Sequence, residues 1–184
     1  MNKTGFTLME MLVVVTIIGI LASIAIPQYQ QAVLKSRYVK MMPLVKSLKQ
    51  AEEEYYLMHR EYAYDFNELG FRFNGALGSS TCGSAEGRDR SAAMRGEGFV
   101  LRINENDGLP TIDAALMDGT NTLTAYLIYL DHPTGGGMSP WSSTRFCYCY
   151  NGCPTKYYKL CASVSGSSAP ASGWEGAPRF RFVN

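Results

Sequence analysis

The sequence predicts an α+β protein in which one long N-terminal helix packs, through its second half, on an antiparallel β-sheet. Three observations carry that expectation. Residues 6–26 are apolar or small almost without interruption. Residues 41–62 then repeat apolar side chains at helical spacing. From residue 98 onward the chain divides into short β-rich runs separated by turns. A helix followed by a series of strands, rather than strict alternation of the two, is the order of a segregated α+β architecture.

The first element has the length of a membrane span. At about 1.5 Å per residue, residues 6–26 cover a hydrocarbon core of about 30 Å. The run shows no amphipathic pattern and is too long for the core helix of a soluble domain. A secretory signal peptide is the second reading, because Lys3 supplies a positive start and Ser23, Ile24 and Ala25 resemble a small-x-small cleavage site. The apolar run nevertheless exceeds the roughly 7–15 residues of a signal-peptide core.

One carboxylate, Glu10, lies about one turn into this run. A charged side chain at the centre of a bilayer costs about 2.5–3.5 kcal/mol and marks a functional position with a partner. No basic residue lies within reach on the same helix, so the partner must come from elsewhere. A free α-amino group on another copy of the chain has the right charge and size. Further along, Thr16, Gly19 and Ser23 fall on one face and form a small-residue strip that permits close helix approach. Pro27 cannot donate to the carbonyl of Ser23, so a kink or loosening is expected there.

Beyond Pro27 the helix should continue as an amphipathic one over residues 28–66. Met41, Leu44, Leu48, Ala51, Tyr55, Met58 and Tyr62 form one apolar stripe, and Lys49 and Glu53 make an i,i+4 pair. Pro43 is a second point of bending. The stripe suits packing on a sheet better than a coiled coil, because it spans few heptads and lacks orderly flanking charges. The helix should end within residues 64–70, and residues 67–184 should form the globular head. Residues 75–91, rich in glycine and serine, read as an exposed connection. Strands are expected over residues 98–104, 122–130, 145–150 and 179–183.

Composition removes several functional classes. The 184-residue chain carries 17 Lys and Arg against 16 Asp and Glu. Such a balance gives no electrostatic footprint for nucleic acid. His59 and His132 lack neighbours at ligand spacing, and no phosphate loop, nucleophile elbow or dinucleotide fingerprint occurs. No catalytic residue and no enzymatic activity is therefore expected. Residues 104–108 hold two acids in a turn without the spacing of a calcium-binding hand, so calcium is only weakly supported and no cofactor or metal is expected.

All five cysteines, Cys82, Cys147, Cys149, Cys153 and Cys161, follow the apolar run. In a reducing compartment their spacing would suggest zinc, but behind an export segment oxidation to disulfides is the expectation. If Cys147 and Cys149 share a strand they point to the same side, so each needs a partner among Cys82, Cys153 and Cys161. Spacing leaves the connectivity open.

The hexapeptide GFTLME, residues 5–10, resembles the processing site of type IV prepilins and pseudopilins, and the short leader MNKTG and the following apolar helix fit as well. The resemblance covers about the first 30 residues and implies a set of roles. Prepilin peptidase would cut after Gly5, Phe6 would become an N-methylated terminus, and Glu10 would neutralise the terminal ammonium of a neighbouring subunit. The family's plan also implies the α+β head laid on the helix. It suggests a Cys149–Cys161 staple between the sheet and a C-terminal loop; Cys82–Cys147 would then secure the Gly/Ser-rich stretch, and the odd count leaves one thiol, assigned to Cys153.

The expected function is that of a structural subunit of a type IV pilus-like filament serving motility, adhesion or DNA uptake. Its partners would be other copies of itself, related pilins, the processing peptidase and the inner-membrane assembly machinery. The subunit would reside in the inner membrane as a single-pass protein before joining an extracellular pilus or periplasmic pseudopilus. A pseudopilin of type II secretion is the first alternative, and a secreted disulfide-bonded binding domain or enzyme the second. One pattern opposes this orientation. Lys35, Arg37, Lys40, Lys46 and Lys49 follow the span whereas Lys3 precedes it, and a positive-inside count would place the head in the cytoplasm.

Overall fold

The computed structural model describes residues 6–63, 66–70, 76–79, 91–96, 98–106, 109–118, 121–133, 141–149, 153–171 and 178–183. Its dominant element is α1, Leu8–His59, a single helix of 52 residues that runs through both Pro27 and Pro43. At about 1.5 Å per residue it is roughly 78 Å long. Thr7 caps its N-terminus, and Arg60, in the left-handed conformation at φ 65°, ends it by donating its N–H to the Tyr56 carbonyl at 2.8 Å. The helix therefore stops short of residues 64–70. Tyr62 is buried because the chain has turned back on itself there, not because it continues the apolar stripe.

Seven strands follow as one antiparallel meander, β1 (Ala76–Ser79), β2 (Ser91–Gly96), β3 (Phe99–Asn106), β4 (Leu109–Asp118), β5 (Asn121–Tyr129), β6 (Arg145–Cys149) and β7 (Arg179–Arg181), paired in sequence order. A second helix, α2 (Thr155–Ser165), lies between β6 and β7 in sequence. The α+β expectation and four of the strands hold. Strands β1, β2 and β4 and helix α2 are additions. From Thr111 to Leu116 every residue of β4 is buried, so the strand carries no inside–outside alternation. Ala76–Ser79 falls within the stretch read as an exposed connection, yet it pairs with β2 through main-chain bonds that need no apolar pattern. The signals for α2 were present: Pro154 before it, Gly166 after it at φ 75°, and Tyr157, Leu160 and Cys161 buried at helical spacing.

The core forms between the sheet and one face of α1. Tyr38, Met41, Val45 and Leu48 of the helix pack against Leu101, Ile103, Ile112, Ala114, Tyr126 and Ile128. Within α1 only Met41 and Leu48 of the expected stripe are fully buried, and Tyr62 is buried beyond the helix end. The buried face is instead Tyr38, Met41, Val45, Leu48 and Glu52, while Met58 is 72% exposed. Tyr38 is wholly buried, its ring edge-on to Tyr126, and its hydroxyl donates to the Ala125 carbonyl at 3.1 Å. Burial first, then the nearby Tyr126 and Asp113, push this phenol well above its ordinary pKa, so it acts as a neutral donor. The opposite face of the sheet holds a buried ion pair: Arg102 on β3 faces Asp113 on β4, and Asn104 donates to the same carboxylate at 2.6 Å.

The cysteines pair differently from the expectation. Cys147 is bonded to Cys161, with Cα atoms 5.4 Å apart, and Cys149 to Cys153, with Cα atoms 5.2 Å apart. The proposed Cys149–Cys161 and Cys82–Cys147 bridges and the free thiol at Cys153 are thus corrected. Helix α2 lies over β6 with Cys161 at the level of Cys147, and Thr124 Oγ1 on β5 is within 3.5 Å of both sulfurs. Cys149 ends the strand, and the chain returns four residues later with Cys153 at φ 52°. As expected from strand geometry, Cys147 and Cys149 do face the same side, since both join the core beneath the helices. Cys82 lies outside the described residues.

Candidate functional site

The N-terminal half of α1 is the part of the molecule that the head does not cover. Its large apolar side chains from Leu8 to Ile26 are each between 45% and 83% exposed. An apolar surface of this kind on all sides of a helix is stable only in lipid or against other chains. It is the one described helix long and apolar enough to cross a membrane.

Glu10 stands at the head of this surface and is held by the helix terminus itself. The Thr7 side chain accepts from the Glu10 N–H at 3.3 Å, and Glu10 Oε2 accepts from the Thr7 N–H at 2.8 Å and from its hydroxyl at 2.7 Å. This reciprocal capping box orients the carboxylate toward the start of the chain and satisfies donors that no earlier turn can satisfy. Among the described residues nothing pairs with the second oxygen, Oε1, and no cation approaches the group. Phe6 adjoins the cap, whereas Gly5 lies outside the described residues. Around Gly19 an added Cβ would meet nothing within 4 Å, so among the described residues no packing partner faces this point of the Thr16, Gly19 and Ser23 strip. Thr16 and Ser23 return their hydroxyls to the carbonyls of Leu12 and Ile20 and so present no free polar group to an apolar neighbour.

At its other end α1 is locked to the head by a polar clamp that sequence reasoning reached only through the Lys49–Glu53 pair. Lys49 Nζ lies 3.5 Å from Glu53 and 2.9 Å from Asp131, just beyond β5. Ser142 and Ser143 donate to the other Asp131 oxygen at 2.6 and 3.0 Å. Burial alone would raise the Asp131 carboxyl, but hydrogen bonds from Ser142, Lys49 and Ser143 outweigh it and hold the group below the usual aspartate range. The Tyr62 hydroxyl donates to Glu53 and accepts from the N–H groups of Asp131 and His132. Its phenol is pushed far up, first by burial and then by the Glu53 carboxylate. His132 stacks on Tyr56 at 4.2 Å, and exposed His59 stacks on Tyr55 at 4.0 Å. These histidines are thus placed as packing partners. In the 104–108 turn the Asn104 amide is engaged by Asp113, and residues 107–108 lie outside the described set.

A head clamped to a helix whose free half is predominantly apolar, with an acid at its tip, defines a membrane-anchored subunit. Comparison with known proteins narrows that class. Residues 1–26 match the family model described as the prokaryotic N-terminal methylation motif. A fimbrial protein of Neisseria meningitidis serogroup B is 41% identical over 139 residues, which is 76% of this chain and 71% of that protein. The type IV major fimbrial protein FimA of Dichelobacter nodosus is 35% identical over 67% of this chain and 69% of its own length. The type IV major pilin protein PilE of Neisseria gonorrhoeae is 38% identical over 37% of this chain and 41% of its own. No solved structure matches the chain. The chain belongs to the type IV pilin family, and as such resides in the inner membrane before it enters an extracellular pilus.

Proposed function

We propose that this pilin is the repeating structural subunit of its pilus and that Glu10 sets each new subunit in register. Cleavage after Gly5 would expose the amine of Phe6, which is then N-methylated. That ammonium, carried by an incoming copy, would meet the Glu10 oxygen that the Thr7 cap leaves open. In a low-dielectric filament core either charge alone is costly, whereas the close pair is tolerated, so the pair specifies position more than it adds stability. The single observation supporting this reading is the exposed, cap-oriented Glu10 carboxylate at the start of an otherwise apolar helix. The processing peptidase and the inner-membrane assembly machinery are the further partners. The work is mechanical, with motility, attachment and DNA uptake as its uses, and a pilus rather than a secretion pseudopilus is favoured by relatives named as fimbrial proteins and major pilins.

The test is a Glu10→Gln chain expressed in place of the native one. It should be cleaved normally and remain in the membrane while surface filaments, counted by electron microscopy of sheared material, disappear. Filaments of normal number would overturn the role of Glu10. N-terminal sequencing adds an independent check: N-methyl-Phe6 is expected, and a start at Ile26 would indicate a signal peptide instead.

A further inference from the structure

Charge along α1 and its exit is divided by height. Residues 11–51 contain five bases and no Asp or Glu, whereas residues 52–68 contain six acids and one Arg. Some of these groups are used inside the chain. Lys49 meets Asp131 and Glu53, and buried Glu52 accepts from the Ala63 N–H at 3.0 Å. Lys40 and Glu54 are both exposed, and among the described residues Lys40 has no carboxylate, and Glu54 no cation, within 4 Å. The Gln50 amide donates to Glu54 Oε1 at 2.9 Å and holds that carboxylate along the helix surface.

The two residues share one side of the helix. At about 100° per residue, Lys40, Glu54 and Met58 fall within about 40° of one another. They stand about 120° or more from the middle of the face that Met41, Val45 and Leu48 turn to the sheet. Pro43 and Leu57 border them and are exposed, and Leu57 and Met58 are 70% and 72% exposed. Ile18, Ala25 and Tyr29 of the uncovered half lie on the same side and are exposed as well. The surface is therefore continuous with the apolar one below the head, and it sets exposed apolar groups beside charges of both signs.

We propose that this side of α1 is a contact between two copies of the chain, in which Glu54 of one copy meets Lys40 of the next. The copies face each other with their heads outward and are offset along the helix by the rise from Lys40 to Glu54, about 21 Å. The same offset sets Leu57 of the first copy beside Pro43 of the second. Zero offset would set Lys40 against Lys40 and Glu54 against Glu54, so the charge pattern rejects level pairing. The two halves of the contact are different surfaces, so each copy keeps one half open for a further copy and the arrangement extends instead of closing. Lys40, one of the bases beyond the span, thereby has a use other than setting topology. The inference rests on the chain being the repeating subunit.

Carbodiimide treatment of sheared native pili, followed by peptide mass spectrometry, tests the contact. Within one copy Lys40 and Glu54 are about 21 Å apart along the helix, so an amide joining them arises only between copies. The Lys49–Asp131 amide, from groups 2.9 Å apart in one chain, is the internal control. A Lys40–Glu54 amide is expected alongside it; the control without that amide, or either residue joined to another protein instead, overturns the contact. In cells, Lys40→Glu and Glu54→Lys should each lower pilus yield roughly tenfold, because like charges then meet at every step. The exchange Lys40→Glu/Glu54→Lys should restore the yield, since the pair is kept with its signs reversed. Single variants at native yield, or an exchange no better than either single, overturn it. Recovery of the native chain in sheared pili tests the subunit reading by itself, and Glu10→Gln tests the register at the other end of the helix, so failure of this contact is distinguishable from failure of that reading.

Discussion

Glu10 Oε2 takes two hydrogen bonds from Thr7, one from its main-chain N–H at 2.8 Å and one from its hydroxyl at 2.7 Å. The residue read from sequence as an acid awaiting a partner is therefore already positioned before any partner arrives. Capping the helix and receiving a neighbour use different oxygens of one carboxylate, which lets a single residue serve both purposes.

Thr7→Val should separate the two uses. It removes the hydroxyl from the cap and leaves the main-chain bond, at a cost typical of a lost N-cap, about 1 kcal/mol. Filament yield should drop severalfold, well short of the complete loss expected for Glu10→Gln. Quantitative immunoblotting of sheared pili, normalised to membrane-bound subunit, makes the comparison; equal losses in the two variants would remove the cap from the explanation.

The Cys147–Cys161 bond closes a separation of 14 residues and ties α2 to β6. A loop of that size contributes about 3 kcal/mol by restricting the unfolded chain. Cys147→Ala/Cys161→Ala in the full-length chain should therefore lower the Tm of the head by several degrees more than Cys149→Ala/Cys153→Ala, whose bond closes a separation of only 4. Circular dichroism in detergent, together with peptide mapping of the native bonds, is the measurement.

For the buried pair of Arg102 and Asp113, removal of one partner is the damaging change. Asp113→Ala takes the carboxylate away from a guanidinium whose side chain is 5% exposed and should cost about 3–5 kcal/mol. Replacing both partners with apolar residues, as in Arg102→Met/Asp113→Leu, should cost clearly less. Denaturant unfolding of the three chains would decide, and an equally damaging double replacement would argue that the pair itself stabilises the sheet.

Asp131 gives the clamp a pH dependence of known sign. Its folded pKa lies below the ordinary value of 3.8, so its contribution to stability is complete above that value and is lost as pH falls through the folded one. Asp131→Asn should lower the Tm at neutral pH, and the gap to the native chain should narrow as the buffer is taken below 3.8. A gap that is constant down to strong acid would show that charge is not what Asp131 supplies.

The span, its acid and the amphipathic continuation were legible in the chain because each depends on local quantities: length, hydropathy and helical period. Strands β3, β5, β6 and β7 were legible for the same reason. What escaped had no local signature, as with β4, buried on both faces, or had one read in the wrong setting, as with α2 between Pro154 and Gly166. At the site, Glu10 was found from its cost in lipid, while the Lys49–Asp131 contact was missed because its members are 82 residues apart.

The sequence by itself determined that this protein has an apolar helix with one acid near its tip and a disulfide-bearing head, since residue type and spacing suffice for those. Only the tertiary structure decided which cysteines join and which helix face is buried. Cys161 meets Cys147 because α2 settles over β6, and Val45 replaces the outer part of the expected stripe because the sheet meets α1 there. Those outcomes follow from how distant elements pack, which no window along the chain contains.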